Sequence, residues 1–206
     1  VLVKDVDPGP GGPFENSYLG DLTDLNGTLY FSGHDDSWGL WRSDGTESGT
    51  YQVKDFRPGN YGGVHSPANF VAVGDTLFFT AVDGAAGRAL WKSDGTAAGT
   101  VMVTDINAGG TDLSISNVTA FNGALYFTVY GDATHGEELW RSDGTAAGTA
   151  VVRDINPGTG NASPRDLTAV GGTLYFTASS GANRDELWKT DGTAGGTTLV
   201  KLLYAN

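Results

Sequence analysis

The sequence LWKSDGTAAGT at residues 90–100 occurs four times in this chain with little change. The other copies are LWRSDGTESGT at 40–50, LWRSDGTAAGT at 139–149 and LWKTDGTAGGT at 187–197. The tryptophans of the four copies are spaced by 48 to 50 residues, at Trp41, Trp91, Trp140 and Trp188. Self-similarity at a fixed period of this length indicates a repeat architecture. The sequence therefore predicts four copies of one small structural unit.

Each unit also contains two apolar segments joined by a two-residue turn. In the first unit these are DLTDL and TLYFSG, joined by Asn26-Gly27. The corresponding turns are Gly74-Asp75, Asn122-Gly123 and Gly171-Gly172. Two-residue turns that need positive φ match the twist of paired strands. The pattern predicts a β-hairpin at the start of every unit.

The LW pair of the motif lies on a third predicted strand, and a fourth follows the Ser-Asp-Gly-Thr turn. No segment has the apolar period, the caps and the length of a helix. The sequence thus predicts an all-β protein of four-stranded antiparallel meanders, each of about 49 residues. The predicted units cover approximately residues 18–57, 66–107, 114–156 and 163–204, with 1–7 as an extra outer strand.

Four-stranded meanders at this period are typical of a β-propeller, in which radial stacking covers both apolar faces of each sheet. A single propeller domain over residues 1–206 is the main prediction. Ala72, Ala120 and Ala169, at one equivalent position, fit a crowded central axis. Two alternatives stay open at this point, namely a linear row of sheets and an eight-bladed ring formed by two chains.

The predicted fourth strand occurs five times, whereas the other three occur four times each. Its first copy is Val1–Asp7, and its last copy follows Thr197 but lacks the shared aspartate and the Pro-Gly turn. One of the terminal copies is surplus, and an unpaired strand exposes an edge that another chain can pair with. We therefore expect either a homodimer contact through that strand or excision from a longer natural array.

Composition excludes several classes of protein. The chain has no cysteine, so it is not a disulfide-stapled scaffold. Its formal net charge of −12 disfavours nucleic acid and anionic membranes, which attract clustered Lys and Arg. No apolar run is long enough for membrane insertion.

The unit as a whole resembles the bacterial ELWxxDGT repeat family. The resemblance covers essentially the whole chain, and the leading glutamate is present as Glu138 and Glu186 but replaced by Gly39 and Ala89. The resemblance implies a secreted or cell-surface, propeller-like module from a bacterium, although no export signal is present in this chain. It implies nothing about a reaction, and it singles out no cofactor.

The repeated polar and aromatic residues are expected to be structural. An aspartate before Gly-Thr can accept hydrogen bonds from the backbone two or three residues later and close an Asx turn. These aspartates are Asp44, Asp94, Asp143 and Asp191. The motif tryptophans are expected to fill the space between sheets.

Residues outside the repeat pattern are better candidates for binding. Trp38 lies in the loop GHDDSWG beside His34, Asp35 and Asp36, and an aromatic ring next to carboxylates suits a ligand contact. The three histidines are not spaced as a zinc site. Calcium is the better metal candidate, since Asp83, Asp132 and Asp185 supply hard oxygen ligands from the corresponding loops.

No catalytic motif is present, so we expect a protein that is not an enzyme. The sequence favours a binding or adhesion module, exported by a bacterium and lectin-like, whose repeated sites bind a glycan or a cell-surface protein. A self-associating structural repeat is the second hypothesis. A glycan hydrolase is the third hypothesis and ranks below the other two. Such enzymes need two carboxylates in unique environments, and this repeat pattern does not single out such a pair.

Overall fold

The computed structural model describes residues 2–5, 19–35, 37–56, 66–83, 86–106, 114–181 and 185–203. Every regular element in these ranges is a β-strand. The strands form four antiparallel sheets of four strands, and each sheet keeps its strands in chain order. The predicted all-β meander is therefore confirmed. Closure of the four sheets into a ring stays a prediction.

Each sheet corresponds to one sequence repeat. The first contains β1 (Gly20–Leu25), β2 (Thr28–Asp35), β3 (Ser37–Ser43) and β4 (Tyr51–Asp55). The second contains β5 (Ala68–Val73), β6 (Thr76–Asp83), β7 (Ala86–Ser93) and β8 (Val101–Thr104). The third contains β9 (Ser114–Phe121), β10 (Ala124–Asp132), β11 (Gly136–Ser142) and β12 (Ala150–Arg153). The fourth contains β13 (Arg165–Val170), β14 (Thr173–Ala178), β15 (Glu186–Thr190) and β16 (Thr198–Leu202).

The chain divides into two compact units, Val1–Asp105 and Ile106–Asn206, and each contains two sheets. Within each unit the two sheets share one hydrophobic core. In the first unit Leu40 and Val53 of the first sheet join Phe79 and Trp91 of the second. In the second unit Leu139 and Val152 of the third sheet join Phe176 and Trp188 of the fourth. The motif tryptophan of the later sheet thus packs against the earlier one.

The hairpin turns have the predicted conformation. Asn26 and Asn122 have φ of 53° and 46°, and both are followed by a glycine with positive φ. In the second and fourth sheets Gly74 and Gly171 take the first turn position with φ of 56° and 57°. Positive φ at this position matches the twist of the hairpin strands, which explains why only Asn and Gly occur there.

A bulge in the first strand of every sheet was not predicted. Pairing with the second strand shifts register between Gly20 and Thr23, and at the corresponding point in the other three sheets. The residue at the bulge has positive φ in all four cases, at Asp21, Asn69, Asn117 and Asp166. Asn and Asp tolerate this conformation better than other residues with a side chain. Every repeat therefore has a backbone bulge at the same position of its first strand.

The two terminal copies of the fourth strand behave differently. β16 pairs with β15 in its own sheet, so the C-terminal copy is the outer strand of the fourth sheet. Residues 2–5 form no strand, but Lys4 Nζ donates a hydrogen bond to the carbonyl oxygen of Thr50 at 2.8 Å. Ala120 and Ala169 are exposed and Ala72 is partly buried, and the crowded central axis stays a prediction.

Candidate functional site

The Asp-Gly-Thr turn is a closed hydrogen-bond network in all four sheets. Asp94 Oδ1 accepts bonds from the backbone N–H of Thr96 at 2.9 Å and from its hydroxyl at 2.8 Å. The Thr96 hydroxyl oxygen in turn accepts from the backbone N–H of Gly99 at 2.9 Å. The same bonds recur around Asp44, Asp143 and Asp191. The structural interpretation of these aspartates is confirmed.

The turn network also explains the electrostatics of these carboxylates. The Thr96 hydroxyl, and then its backbone N–H, lower the pKa of Asp94 below its ordinary value. The corresponding threonine lowers the pKa of Asp44, Asp143 and Asp191 in the same way. A carboxylate that accepts several hydrogen bonds is held in its charged form. These groups are therefore committed to the turn and are poor candidates for proton transfer.

A tyrosine from the preceding sheet contacts the turn glycine within each compact unit. A Cβ placed on Gly95 would lie 2.1 Å from the hydroxyl oxygen of Tyr30, and one on Gly192 would lie 2.2 Å from that of Tyr126. Both glycines have positive φ, at 90° and 100°. Burial raises the pKa of both tyrosines. The turn thus serves as a contact point for the neighbouring sheet.

Three of the motif tryptophans, Trp41, Trp91 and Trp188, are core residues, and Trp140 is partly buried. Their indole N–H groups differ in hydrogen bonding. Trp188 Nε1 donates to Glu186 Oε2 at 3.0 Å. Three other indole nitrogens are buried and have no hydrogen-bond partner among the described residues, namely those of Trp41, Trp91 and Trp140. The first and second sheets have Gly39 and Ala89 where the fourth has Glu186, so they lack this acceptor.

Glu138 is the most perturbed acidic group in the described part of the chain. Its side chain is fully buried, and its Oε1 accepts from the backbone N–H groups of Ile155 and Asn156 at 3.0 and 2.8 Å. Burial raises its pKa to about 7, against the opposing effect of the two backbone N–H groups. Its Oε2 has no partner among the described residues. Buried groups with shifted pKa values often mark functional sites, but structural networks produce them as well.

The predicted ligand site in the first sheet is partly described. His34 and Trp38 are opposite each other across the β2–β3 hairpin, and their rings meet edge to face with centroids 5.3 Å apart. His34 Nδ1 is buried and has no hydrogen-bond partner among the described residues. Asp36 lies outside the described residues, and of Asp35 only the backbone is described. A ligand site at this hairpin end stays a prediction.

Two of the aspartates proposed for calcium, Asp132 and Asp185, are engaged in contacts with neighbouring side chains. Asp132 accepts bonds from the backbone N–H groups of Thr134 and His135 and contacts His135 Nδ1 at 2.7 Å. In the fourth sheet, Asp185 accepts a hydrogen bond from Arg165 of β13. The side chain of Asp83 lies outside the described residues. Within the ranges described above, no three His, Asp or Glu side chains are grouped as for a metal ion, and calcium stays a prediction.

One face of the fourth sheet is left exposed by the described residues. It carries the residues equivalent to the core residues of the first and third sheets, and we call it the uncovered face (Val170, Tyr175, Leu187, Val200 and Leu203). Val200 is 46% exposed, whereas its equivalents Val53 and Val152 are 6% and 8% exposed. Leu203 is 48% exposed, whereas Phe56 and Ile155 are 3% and 5% exposed. An exposed apolar patch of this kind is typical of an interaction surface.

Sequence reasoning did not find the uncovered face. The sequence of β16 and its neighbours, TTLVKLL, is apolar like its equivalents, and the strand alternation does not reveal which face lacks a partner. Leu202 replaces the aspartate of the earlier repeats, but it is paired with Glu186 and therefore lies on the opposite face of the sheet from Leu187 and Lys201.

No protein-family model matches the chain, and no curated protein does either. Several solved structures are similar in fold. A prolyl endopeptidase structure matches with a TM-score of 0.58 and 15% identity over 92% of this chain and 27% of that chain. A puromycin hydrolase, S511A mutant complexed with PGG, gives 0.55 and 16% over 89% and 30%. TolB from Acinetobacter baumannii gives 0.53 and 14% over 92% and 45%.

These comparisons give the fold and correct the predicted function. The neighbours are β-propeller-like, so the sheets of this chain are propeller-like too. The chain spans less than half the length of each of these three proteins. The prediction of a carbohydrate-binding adhesion module is wrong, because the neighbours are peptidase-related propellers and TolB and nothing in the comparisons indicates carbohydrate binding.

The described ranges also contain no helix of the length and hydropathy that a bilayer span requires.

Proposed function

We propose that this chain is a non-enzymatic structural module of a β-propeller, and that its fourth sheet binds the face of a further β-sheet. Propeller sheets bury both faces by stacking on their neighbours. The likeness in fold to larger propeller-containing proteins supports this role, since the chain spans 27% to 45% of their lengths. A ring of eight blades from two chains stays a separate hypothesis, in which a second copy would provide the sheet.

The exposure of Val200 and Leu203 is the observation that carries the proposal. In the first and third sheets the equivalent side chains are almost fully buried by the next sheet. Covering an exposed valine or leucine completely contributes about 1.5–3 kcal/mol. Two half-exposed side chains, together with Val170, which is 59% exposed, therefore favour a covered state by a few kcal/mol on the same scale.

The other predictions made from the sequence stay hypotheses. Membership of the ELWxxDGT repeat family, an exported location, a calcium ion in the hairpin loops and a homodimer contact through a terminal strand are all compatible with a stacking module. None of them is needed for the binding of a further sheet. The stacking proposal depends on the uncovered face alone.

The absence of cysteine allows a direct test. Val200→Cys introduces the single thiol of the chain on the uncovered face, and a small apolar side chain is retained. A second copy of residues 156–203 is then inserted between Leu203 and Tyr204, which continues the repeat at its native spacing of 48 residues. The rate of thiol labelling at position 200 of the first copy is compared with the rate in the chain without the insertion.

We expect the inserted sheet to slow labelling by at least about tenfold, the factor that corresponds to 1.4 kcal/mol of docking free energy. The same cysteine in the inserted copy is the matched control, because no sheet follows it, and it should react at the original rate. Equal rates at both positions in the extended protein would overturn the proposal.

A further inference from the structure

The uncovered face retains the polar groups that join the two sheets within each compact unit. Two contacts recur at both described sheet pairs. A basic residue of the outer strand lies over the tryptophan ring of the following sheet, and a tyrosine of the second strand reaches the following Asp-Gly-Thr turn. These contacts are directional, so they can select a partner that apolar packing alone would not.

The basic residue is Lys54 in the first sheet and Arg153 in the third. Lys54 Nζ lies 5.4 Å from the centroid of the Trp91 ring. The guanidinium of Arg153 lies 5.8 Å from the Trp188 ring, and Arg153 donates a hydrogen bond to the carbonyl oxygen of Thr197 at 2.5 Å. A cation over an indole ring is attracted by the negative face of the ring.

Lys4 provides an independent example of the same contact. It precedes an aspartate in the sequence VKD, as Lys54 does, and residues 2–5 belong to no described sheet. Its Nζ donates to the carbonyl oxygen of Thr50, the residue equivalent to Thr197. A repeat sheet therefore accepts a basic side chain at this carbonyl even where no complete sheet supplies it.

The tyrosine contact is equally regular. Tyr30 and Tyr126 are paired across their own sheets with Arg42 and Arg141, and their hydroxyl groups contact the glycine of the following turn. In the fourth sheet Tyr175 is paired with Lys189 in the same register. Lys201 likewise stands where Arg153 stands in the third sheet. Both polar groups of the contact are thus present on a face that nothing in the described chain covers.

We infer that the partner of the uncovered face is a fifth sheet of this same repeat type, which presents its tryptophan face. Lys201 donates to the carbonyl of the threonine that ends the partner's Asp-Gly-Thr turn and lies over the partner's tryptophan. Tyr175 contacts the turn glycine. This inference rests on the proposed function and adds the identity of the bound sheet.

The test uses the extended protein with Val200→Cys in the first copy. Lys201→Ala in the first copy should accelerate thiol labelling about tenfold, the factor that a hydrogen bond to a charged group typically carries. Tyr175→Phe in the first copy should accelerate it by a few-fold. The same substitutions in the inserted copy are the matched controls and should leave the rate unchanged, since that copy has no sheet beyond it.

A second variant tests the partner side of the contact. Gly192→Ala in the inserted copy should accelerate labelling, because the added methyl group meets the Tyr175 hydroxyl as it would meet that of Tyr126 in the native chain. Tyr175→Phe in the first copy should remove most of this effect. Such a compensation identifies the turn of the inserted sheet as the group that Tyr175 contacts.

Three results would overturn the inference. In the first, the inserted sheet slows labelling, but Lys201→Ala and Tyr175→Phe do not change the rate. This result would leave the stacking proposal intact and show that the sheet is bound without repeat-specific contacts. Labelling that is not slowed at all would remove the stacking proposal as well. Slowing in the native chain that grows with its concentration would assign the face to a second copy, in which Trp41, Trp91 and Trp188 are already buried.

Discussion

Trp188 donates its indole N–H to Oε2 of Glu186 at 3.0 Å, so the first and third residues of the Glu-Leu-Trp sequence are hydrogen-bonded on one face of β15. Glu186 also accepts from the backbone N–H and the hydroxyl of Ser180, at 3.0 and 2.8 Å. The equivalent Glu138 instead bonds the backbone after β12. The same two residue types therefore serve different hydrogen bonds in adjacent repeats.

Glu186→Ala should destabilise the second compact unit by about 1–3 kcal/mol, because it leaves the buried indole N–H of Trp188 without an acceptor. Urea unfolding followed by tryptophan fluorescence measures the loss. Glu186→Gln is the matched control, since it keeps the volume and one acceptor oxygen, and it should lose less than half as much. A change below about 0.5 kcal/mol for the alanine variant would contradict the structural role of the pair.

Glu138 should make the stability of the protein depend on pH. Its pKa is about 7 in the folded protein and 4.5 in the unfolded chain, so the folded state binds the extra proton between these values. The free energy of unfolding should therefore fall as pH rises from 4.5 to 7, by about 3 kcal/mol at most. The stability is fully present below pH 4.5, where both states are protonated.

Glu138→Gln isolates this effect, because the amide mimics the neutral carboxyl and can still accept from Ile155 and Asn156. The variant should match the native protein at pH 4.5 and exceed it in stability at pH 8. Thermal unfolding at a series of pH values measures the difference between the two proteins, in which other titrating groups cancel. Parallel profiles for the two proteins would show that Glu138 does not titrate in this range.

The hairpins and the motif turn could be predicted from sequence because their chemistry is local. Asn26-Gly27 has few alternatives to a tight turn, and Asp94 finds its donors within five residues along the chain. The bulge in the first strand was missed although Asp or Asn occupies it in all four repeats (Asp21, Asn69, Asn117 and Asp166). That signal was present, but the alternation of strand residues on either side hides it.

The candidate interaction surface could not be predicted in the same way. Whether Val200 is buried depends on the presence of another sheet and not on its own sequence, which matches that of Val53 and Val152 in pattern. Two of the proposed calcium ligands are engaged in other contacts for a related reason. Asp132 and Asp185 each bind a local basic group, His135 and Arg165, whose position follows from the folded loops.

The stability of variants at Asn69 tests the bulge in the second sheet, because the φ of Asn69 is 60°. Asn69→Ala and Asn69→Gly both remove the side chain and its bond to Thr80. The alanine variant must also hold a Cβ in the left-handed region, so it should be less stable than the glycine variant by about 1 kcal/mol. Chemical denaturation of the two variants side by side gives this difference. Equal stabilities would indicate that the bulge relaxes to a different conformation.

The tyrosine contact with the turn can be measured with a pair of glycines. Gly45 and Gly95 occupy the same turn position with φ of 89° and 90°, but a Cβ on Gly45 would meet nothing within 4 Å, whereas one on Gly95 would meet the Tyr30 hydroxyl. Backbone strain is thus common to Gly45→Ala and Gly95→Ala. Crowding affects only the second variant, which should be less stable by a further 1–3 kcal/mol or so.

Tyr30→Phe provides the check on this interpretation. It removes the oxygen that the new methyl group would meet, so Gly95→Ala should cost clearly less in the Tyr30→Phe protein than in the native one. The coupling between the two substitutions, obtained from a double-mutant cycle, should exceed about 1 kcal/mol. Because Tyr30 is in the first sheet and Gly95 in the second, a coupling of this size measures the contact between two repeats. Additive effects would place the cost of Gly95→Ala entirely in the turn backbone.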